Sequence, residues 1–281
     1  MLKLGVHVSI AGKIYYSIER AKSLNCTAMQ IFSRNPRQFL KSSLSKEDIG
    51  IFRAKIKEAK INPLVIHTPY TLNLAAAKDF LYRATIREFT SDVKEAARLG
   101  AQFIVIHTGS FNGDEITGLN RIVGALKIVL KDTAAAATTI LLENTAGEGH
   151  VLGCRMSHFG FIFSKLKQTK RVALCLDTAH AWAAGYGINR ESGLNNLLAE
   201  AKEEVGIEKI KLIHLNDTLY PLGSRKDRHF HVGRGKIGKD GFSLIVNHRQ
   251  LRNLPFILET PKETDDDDKN NLSAVRRLYK G

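Results

Sequence analysis

Cysteine is scarce in this chain of 281 residues: Cys26, Cys154 and Cys175 are the only three. Their odd number and their lack of metal-type pairing argue against a disulfide scaffold and a thiolate-rich zinc site, and suit a reducing cytoplasm. Cys175 falls inside an apolar stretch and is expected to be a small buried hydrophobe. No apolar run approaches the ~20 residues of a membrane span. The chain enters a candidate strand within its first residues, so no signal peptide is expected. Familiar nucleotide and hydrolase signatures are also missing. Gly12-Lys13 lacks the upstream glycine of a P-loop, and no Gly-x-Ser-x-Gly occurs. Gly233-Arg-Gly-Lys-Ile-Gly238 has the letters of a dinucleotide fingerprint, but it follows a His-rich loop rather than a strand. It is expected to be a flexible turn, with backbone amides free to approach a phosphate.

Negative charge is in deficit as well. The formal net charge is +14, dispersed along the chain without a Lys/Arg tail. Such an excess favours a polyanionic partner, nucleic acid before membrane. Hydrophobic residues make up 43% of the chain, enough for a large core.

The informative pattern is a repeat. Six short apolar runs each end in a residue able to bind a metal: Pro63 to His67, Phe103 to His107, Thr139 to Glu143, Val172 to Asp177, Ile210 to His214 and Pro255 to Glu259. The end residues lie 34 to 45 positions apart, room for one helix and two loops each time. Continuous Val/Ile-rich runs of this length read as parallel strands buried on both faces. Two further candidate strands, 2–8 and 27–32, bring the number to eight. Helical periodicity predicts helices over 14–24, 46–59, 78–99, 116–132, 156–167, 193–205, 240–247 and 271–279. Nothing interrupts the alternation, so one domain over 1–281 is expected, a (β/α)8 barrel of the usual ~250 residues or slightly more.

If the sheet closes, His67, His107, Glu143, Asp177, His214 and Glu259 point into one mouth. Buried charges are costly unless paired or coordinated, and histidine with carboxylate suits Zn, Mn or Fe. Two satellites add donors. Asp177-Thr-Ala-His180 puts a His three residues after a strand-end Asp, and a helical turn would align the two. Asp227-Arg-His229 would point both side chains the same way in extended chain. The total is nine candidate ligands. A catalytic zinc uses three or four, so two or three ions are implied. His7 is open between pocket lining and a core or supporting role, His231 is unassigned, and His150, His158 and His248 are expected at the surface. The loops Ser33 to Phe39 and His67 to Leu74 carry Arg37, Gln38 and Tyr70, side chains able to fill a gap in a base stack or hold phosphates.

Taken together, these residues resemble endonuclease IV, the zinc-dependent apurinic/apyrimidinic endonuclease family of base-excision repair. The likeness runs through Gly5-Val-His-Val-Ser9, Asn35-Pro-Arg-Gln38, Glu143-Asn-Thr-Ala-Gly147, Asp177 to Tyr186, His214-Leu-Asn-Asp217, Gly223 to His229 and Ile257-Leu-Glu-Thr260. It implies a TIM barrel with a metal cluster at the carboxyl-end face and three Zn2+ per chain, with Mn2+ as an alternative occupant in part. By resemblance, His67, His107 and Glu143 hold one ion. Glu143 bridges to a second, completed by Asp177, His214 and Glu259, and His180, Asp227 and His229 hold the third. Glu143 and Glu259 would be catalytic, and Arg37, Gln38 and Tyr70 would contact the DNA. The implied reaction hydrolyses the phosphodiester 5′ to an abasic site in double-stranded DNA, by a cytoplasmic monomer. Lys13, Thr71 and Arg234 depart from the family's pattern, and none is a ligand. A metal-dependent sugar isomerase or epimerase on the same barrel is the alternative. It would leave Asp227, His229 and the basic loops without a role.

Overall fold

The computed structural model describes residues 2–32, 34, 44–167 and 169–281. Eight parallel strands alternate with helices. In chain order they are β1 (Leu4–Val6), α1 (Tyr16–Ser23), β2 (Met29–Phe32), α2 (Lys46–Glu58), β3 (Leu64–His67), α3 (Asp79–Leu99), β4 (Phe103–His107), α4 (Glu115–Asp132) and β5 (Thr139–Glu143). There follow α5 (Met156–Lys165), β6 (Val172–Asp177), α6 (Thr178–Ala183), α7 (Glu191–Glu204), β7 (Ile210–His214), α8 (Gly238–Asn247), β8 (Phe256–Leu258) and α9 (Asp267–Leu278).

The strand order is β1-β8-β7-β6-β5-β4-β3-β2, every pairing parallel. The ends of that ribbon meet through a parallel bridge between His7 and Gln30, where Val8 N donates to Gln30 O at 2.7 Å. Gly5 has no room for a side chain at this seam, since a Cβ would sit 1.9 Å from the Ala28 carbonyl oxygen.

Strand side chains alternate between two cores. Ala28, Val65, Val105, Leu141, Ala173, Cys175, Leu212 and Ile257 form one buried cluster, the barrel lumen. Their neighbours, such as Ile66, Ile104, Ile140, Leu174 and Ile213, pack outward in the larger cluster with the helices. Because strand side chains repeat every two residues, the residue two places beyond each lumen position also faces inward, one layer nearer the carboxyl ends. Those positions are Gln30, His67, His107, Glu143, Asp177, His214 and Glu259, with His7 after Gly5 on β1.

Helix starts are fixed locally. Ser45 caps α2 by accepting from Asp48 N at 3.0 Å, and Asp114 caps α4 by accepting from Thr117 N at 2.8 Å. α3 ends at Gly100 in the left-handed region, φ 80°. α6 is a helix that periodicity does not predict. It follows β6 without a spacer because Asp177, the last strand residue, is also its N-cap, accepting from His180 N at 2.7 Å.

Candidate metal centre

Glu143 lies at the middle of the mouth and is fully buried. Its Oε2 is 3.2 Å from His67 Nε2 and 3.1 Å from His107 Nε2. Its Oε1 is 2.9 Å from His214 Nδ1 and 3.5 Å from His180 Nδ1. Glu259 Oε2 is 3.2 Å from the same His214 nitrogen. Asp177, also fully buried, places Oδ2 3.5 Å from His229 Nε2. Asp227, half-exposed, reaches His180 Nε2 with Oδ1 at 3.0 Å and His229 Nε2 at 4.0 Å. All nine residues picked from sequence therefore converge.

The donor atoms fall into overlapping groups, each with its atoms within 4.8 Å of one another: His67, His107 and Glu143; then Glu143, Asp177, His214 and Glu259; then Asp177, His180 and His229. Cys175 lies against Glu143 and His214 in a fourth such group. Burial pushes its thiol up to about 12, so it stays protonated.

Electrostatics show how tightly the cluster is strung. Burial disfavours charge on Glu143, yet His214 and His107 hold its carboxyl well below the usual range. Burial likewise opposes ionisation of Glu259, and His214 overrides it. For His180, burial is outweighed by Asp177, Asp227 and Glu143, which raise it to about 10. His214 is raised well above its ordinary value against the same opposition, with Glu259 and Glu143 among the causes. Asp227 is held at about 2, chiefly by His180 overcoming burial. The carboxylates of Glu143, Glu259 and Asp227 and the imidazoles of His180 and His214 thus favour opposite charges, a balance that cations could also supply. His229 Nε2, buried and without a hydrogen-bond partner among the described residues, points to the same conclusion. The donor set of oxygen and imidazole nitrogen fits divalent zinc or manganese.

Relatives bear on the chemistry. The model of the xylose isomerase-like TIM barrel family matches residues 18–280. A protein named "Probable endonuclease 4" from Methanosphaerula palustris is 40% identical over 281 residues, covering 99% of this chain and 98% of its own. The crystal structure of endonuclease IV from Thermus thermophilus superposes with a TM-score of 0.88 at 33% identity, covering 98% of each chain. The chain belongs to the endonuclease IV family. It is a nuclease of DNA repair. A D-tagatose 3-epimerase-like protein shares the barrel, with TM-score 0.74 and 19% identity over 99% of this chain and 97% of that one, which is a likeness of fold alone.

In this endonuclease IV chain Tyr70 stands at the rim, 65% exposed, its ring 5.6 Å from that of His67 and 5.8 Å from that of His107. Arg37 and Gln38 lie outside the described residues. Four polar residues of the site are missed or left open by the sequence. Asn144 and Asn216 brace Asp177: Asn144 Oδ1 accepts from Asp177 N at 2.6 Å, and Asn216 Nδ2 donates to Asp177 Oδ2 at 2.7 Å. His7 contacts Glu259 through Nδ1 at 3.3 Å, and burial lowers its pKa. Gln30 Nε2 donates to Glu259 Oε1 at 2.6 Å. Gln30 and His7 occupy the same register as the six strand-end candidate ligands, which is the signal that could have found them.

Two expectations need correction. His158 is buried rather than on the surface, because its Nδ1 accepts from Gly153 N at 2.8 Å and Arg155 covers its other nitrogen. The turn Gly233 to Gly238 serves an internal anion: the amides of Gly235, Ile237 and Gly238 donate to the buried Asp217 carboxylate at 2.9, 3.0 and 3.2 Å. Gly235 is needed there, since a Cβ would lie 2.3 Å from Thr218 O.

Proposed function

We propose that the protein hydrolyses the phosphodiester 5′ to an abasic site in double-stranded DNA, leaving a 3′-hydroxyl and a 5′-deoxyribose phosphate. The observation that carries this reading is the convergence of nine His, Asp and Glu side chains on one barrel mouth, in overlapping donor groups that share Glu143 and Asp177. His67, His107 and Glu143 would hold one divalent ion. Glu143, Asp177, His214 and Glu259 would hold a second, and His180, Asp227 and His229 a third. Zinc is the ion we assign, with manganese as an alternative occupant. When bound, such ions supply Lewis acidity, acidifying a water and neutralising charge that builds on phosphate oxygens.

The chain's own residues do the rest. Glu143 turns one oxygen to His67 and His107 and the other to His214, so a single carboxylate could join two ion sites. Glu143 and Glu259 are the carboxylates assigned to catalysis, both kept ionised by neighbouring imidazoles. Asn144 and Asn216 keep Asp177 from turning out of the site. The +14 charge draws a phosphate backbone toward the protein. Tyr70, with Arg37 and Gln38, would then hold a bent duplex open, and the missing base lowers the cost of extruding the abasic nucleotide. We read the chain as one domain, acting as a monomer in the cytoplasm. No described helix is long and apolar enough to cross a membrane.

The test is a zinc-loaded incubation with a duplex containing one abasic site, an intact duplex and, separately, a ketohexose. Incision confined to the abasic duplex supports the proposal. Ketose epimerisation without incision would replace it with the sugar-enzyme reading.

A further inference from the structure

We propose that Gln30 is a positioning residue of the metal centre: its amide selects the ring nitrogen that His214 presents to the ions and holds Glu259 beside it. The proposal deepens the metal reading given above and rests on it.

Three of the other histidines show how their orientation is set. His67 Nδ1 lies 2.7 Å from Thr68 O, His180 Nδ1 2.9 Å from Asn144 O, and His229 Nδ1 3.2 Å from Glu259 O. A carbonyl oxygen can only accept, so in each ring Nδ1 carries the proton and Nε2 is left to bind a metal. His214 is reversed. Its Nδ1 faces the carboxylates, 2.9 Å from Glu143 Oε1 and 3.2 Å from Glu259 Oε2. Its Nε2 faces away from them, onto Gln30 Oε1 at 2.9 Å. A side chain here does what the backbone does for the other three.

The orientation of the Gln30 amide follows from its surroundings. One end lies 2.6 Å from Glu259 Oε1 and 3.0 Å from His7 Nδ1. An amide oxygen at 2.6 Å from a carboxylate oxygen would be repelled, so this end is the NH2 group. Its two protons go to Glu259 and His7, and His7 accordingly accepts at Nδ1. The amide oxygen is thereby directed at His214 and can only accept from it. His214 must carry a proton on Nε2, which leaves Nδ1 as the metal-binding atom. Gln30 itself is held independently of the ions: it is fully buried on β2, and its carbonyl oxygen accepts from Val8 N at the seam where the barrel closes.

Two measurements test this, neither of them turnover. Long-range 1H–15N spectra of the zinc-loaded protein report which nitrogen of each ring is protonated. We expect Nε2–H for His214 and Nδ1–H for His67, His180 and His229; His214 bound through Nε2 would overturn the proposal. The second is chelator competition with zinc-loaded Gln30→Met, a side chain of similar length without donor or acceptor. Partners behind a metal ligand typically contribute about 10–100-fold in affinity, so one class of zinc should be weakened by about that factor while the rest keep wild-type affinity. Affinities equal to wild type throughout, or uniform weakening of every zinc, would contradict a positioning role. If Gln30→Met does not fold, the spectra of the unsubstituted protein still decide. A wild-type zinc content below three per chain would count against the three-ion reading alone, leaving the ring spectra to judge Gln30.

Discussion

Replacing Glu143 by Gln removes one charge at the point where the site's donor groups overlap and changes almost no volume. The side chain is fully buried, and its two oxygens face different histidines: His67 and His107 at 3.2 and 3.1 Å, His214 at 2.9 Å. The amide can keep an acceptor toward one group only, and its NH2 would face imidazole on the other. Loss of a supporting contact behind a metal ligand costs about 10–100-fold in affinity or activity. Glu143→Gln acts on the ligand itself and on two ions, so the product, about 10²–10⁴-fold in turnover, is a lower bound. That corresponds to about 2.7–5.4 kcal/mol at ~1.36 kcal/mol per tenfold. His229→Ala removes a donor from one group only and should cost about 10–100-fold. Single-turnover cleavage of an abasic duplex at saturating zinc, with metal content measured in parallel, makes the comparison. A Glu143→Gln turnover within tenfold of wild type, or a loss no greater than that of His229→Ala, would refute the bridging role.

Three further outcomes are expected. Protein purified without chelator should contain about three zinc ions, as nine donors exceed the three or four that one catalytic zinc uses; full activity with one ion or fewer, by elemental analysis, would reject the three-ion centre. Zinc binding to stripped protein at about pH 7.5 should release protons, because His180, raised to about 10, and His214, also raised, must each lose one to bind. The same shift of His180 stabilises the stripped fold fully below pH 6.5, and that contribution fades as pH rises through about 10. Calorimetric enthalpies that do not change between buffers of different ionisation enthalpy would contradict proton release. Arg37→Ala combined with Tyr70→Ala should keep fold and zinc but lose preference for abasic over intact duplex, measured at one salt concentration; retained preference would move recognition elsewhere.

Much of this site is legible because a barrel imposes one register on eight strands. An apolar run ending in His, Asp or Glu marks the layer above the lumen, and six such ends, with two satellites, are enough to find nine converging residues. Gln30 and His7 are harder to see for a physical reason. Neither ends a run of unbroken apolar residues, and glutamine is not a metal-binding side chain, so only the two-residue alternation from Ala28 and Gly5 would single them out. α6 escapes notice because one residue, Asp177, ends a strand, caps a helix and joins the cluster, which leaves no loop to mark the boundary. His158 is misplaced because its burial depends on a fit between Gly153, Arg155 and α5 that only the folded chain creates. Asp217 gives no signal either, since the amides that satisfy it come from positions 235–238.

The chemistry of the cut end tests the central claim most directly. A duplex labelled 5′ to a single abasic site should be incised only with zinc-loaded protein, and the labelled fragment should be extended at once by a DNA polymerase, showing a free 3′-hydroxyl. A fragment that is blocked to extension, incision that persists after zinc is stripped, or equal cutting of the intact duplex would contradict hydrolysis 5′ to the lesion by a metal centre.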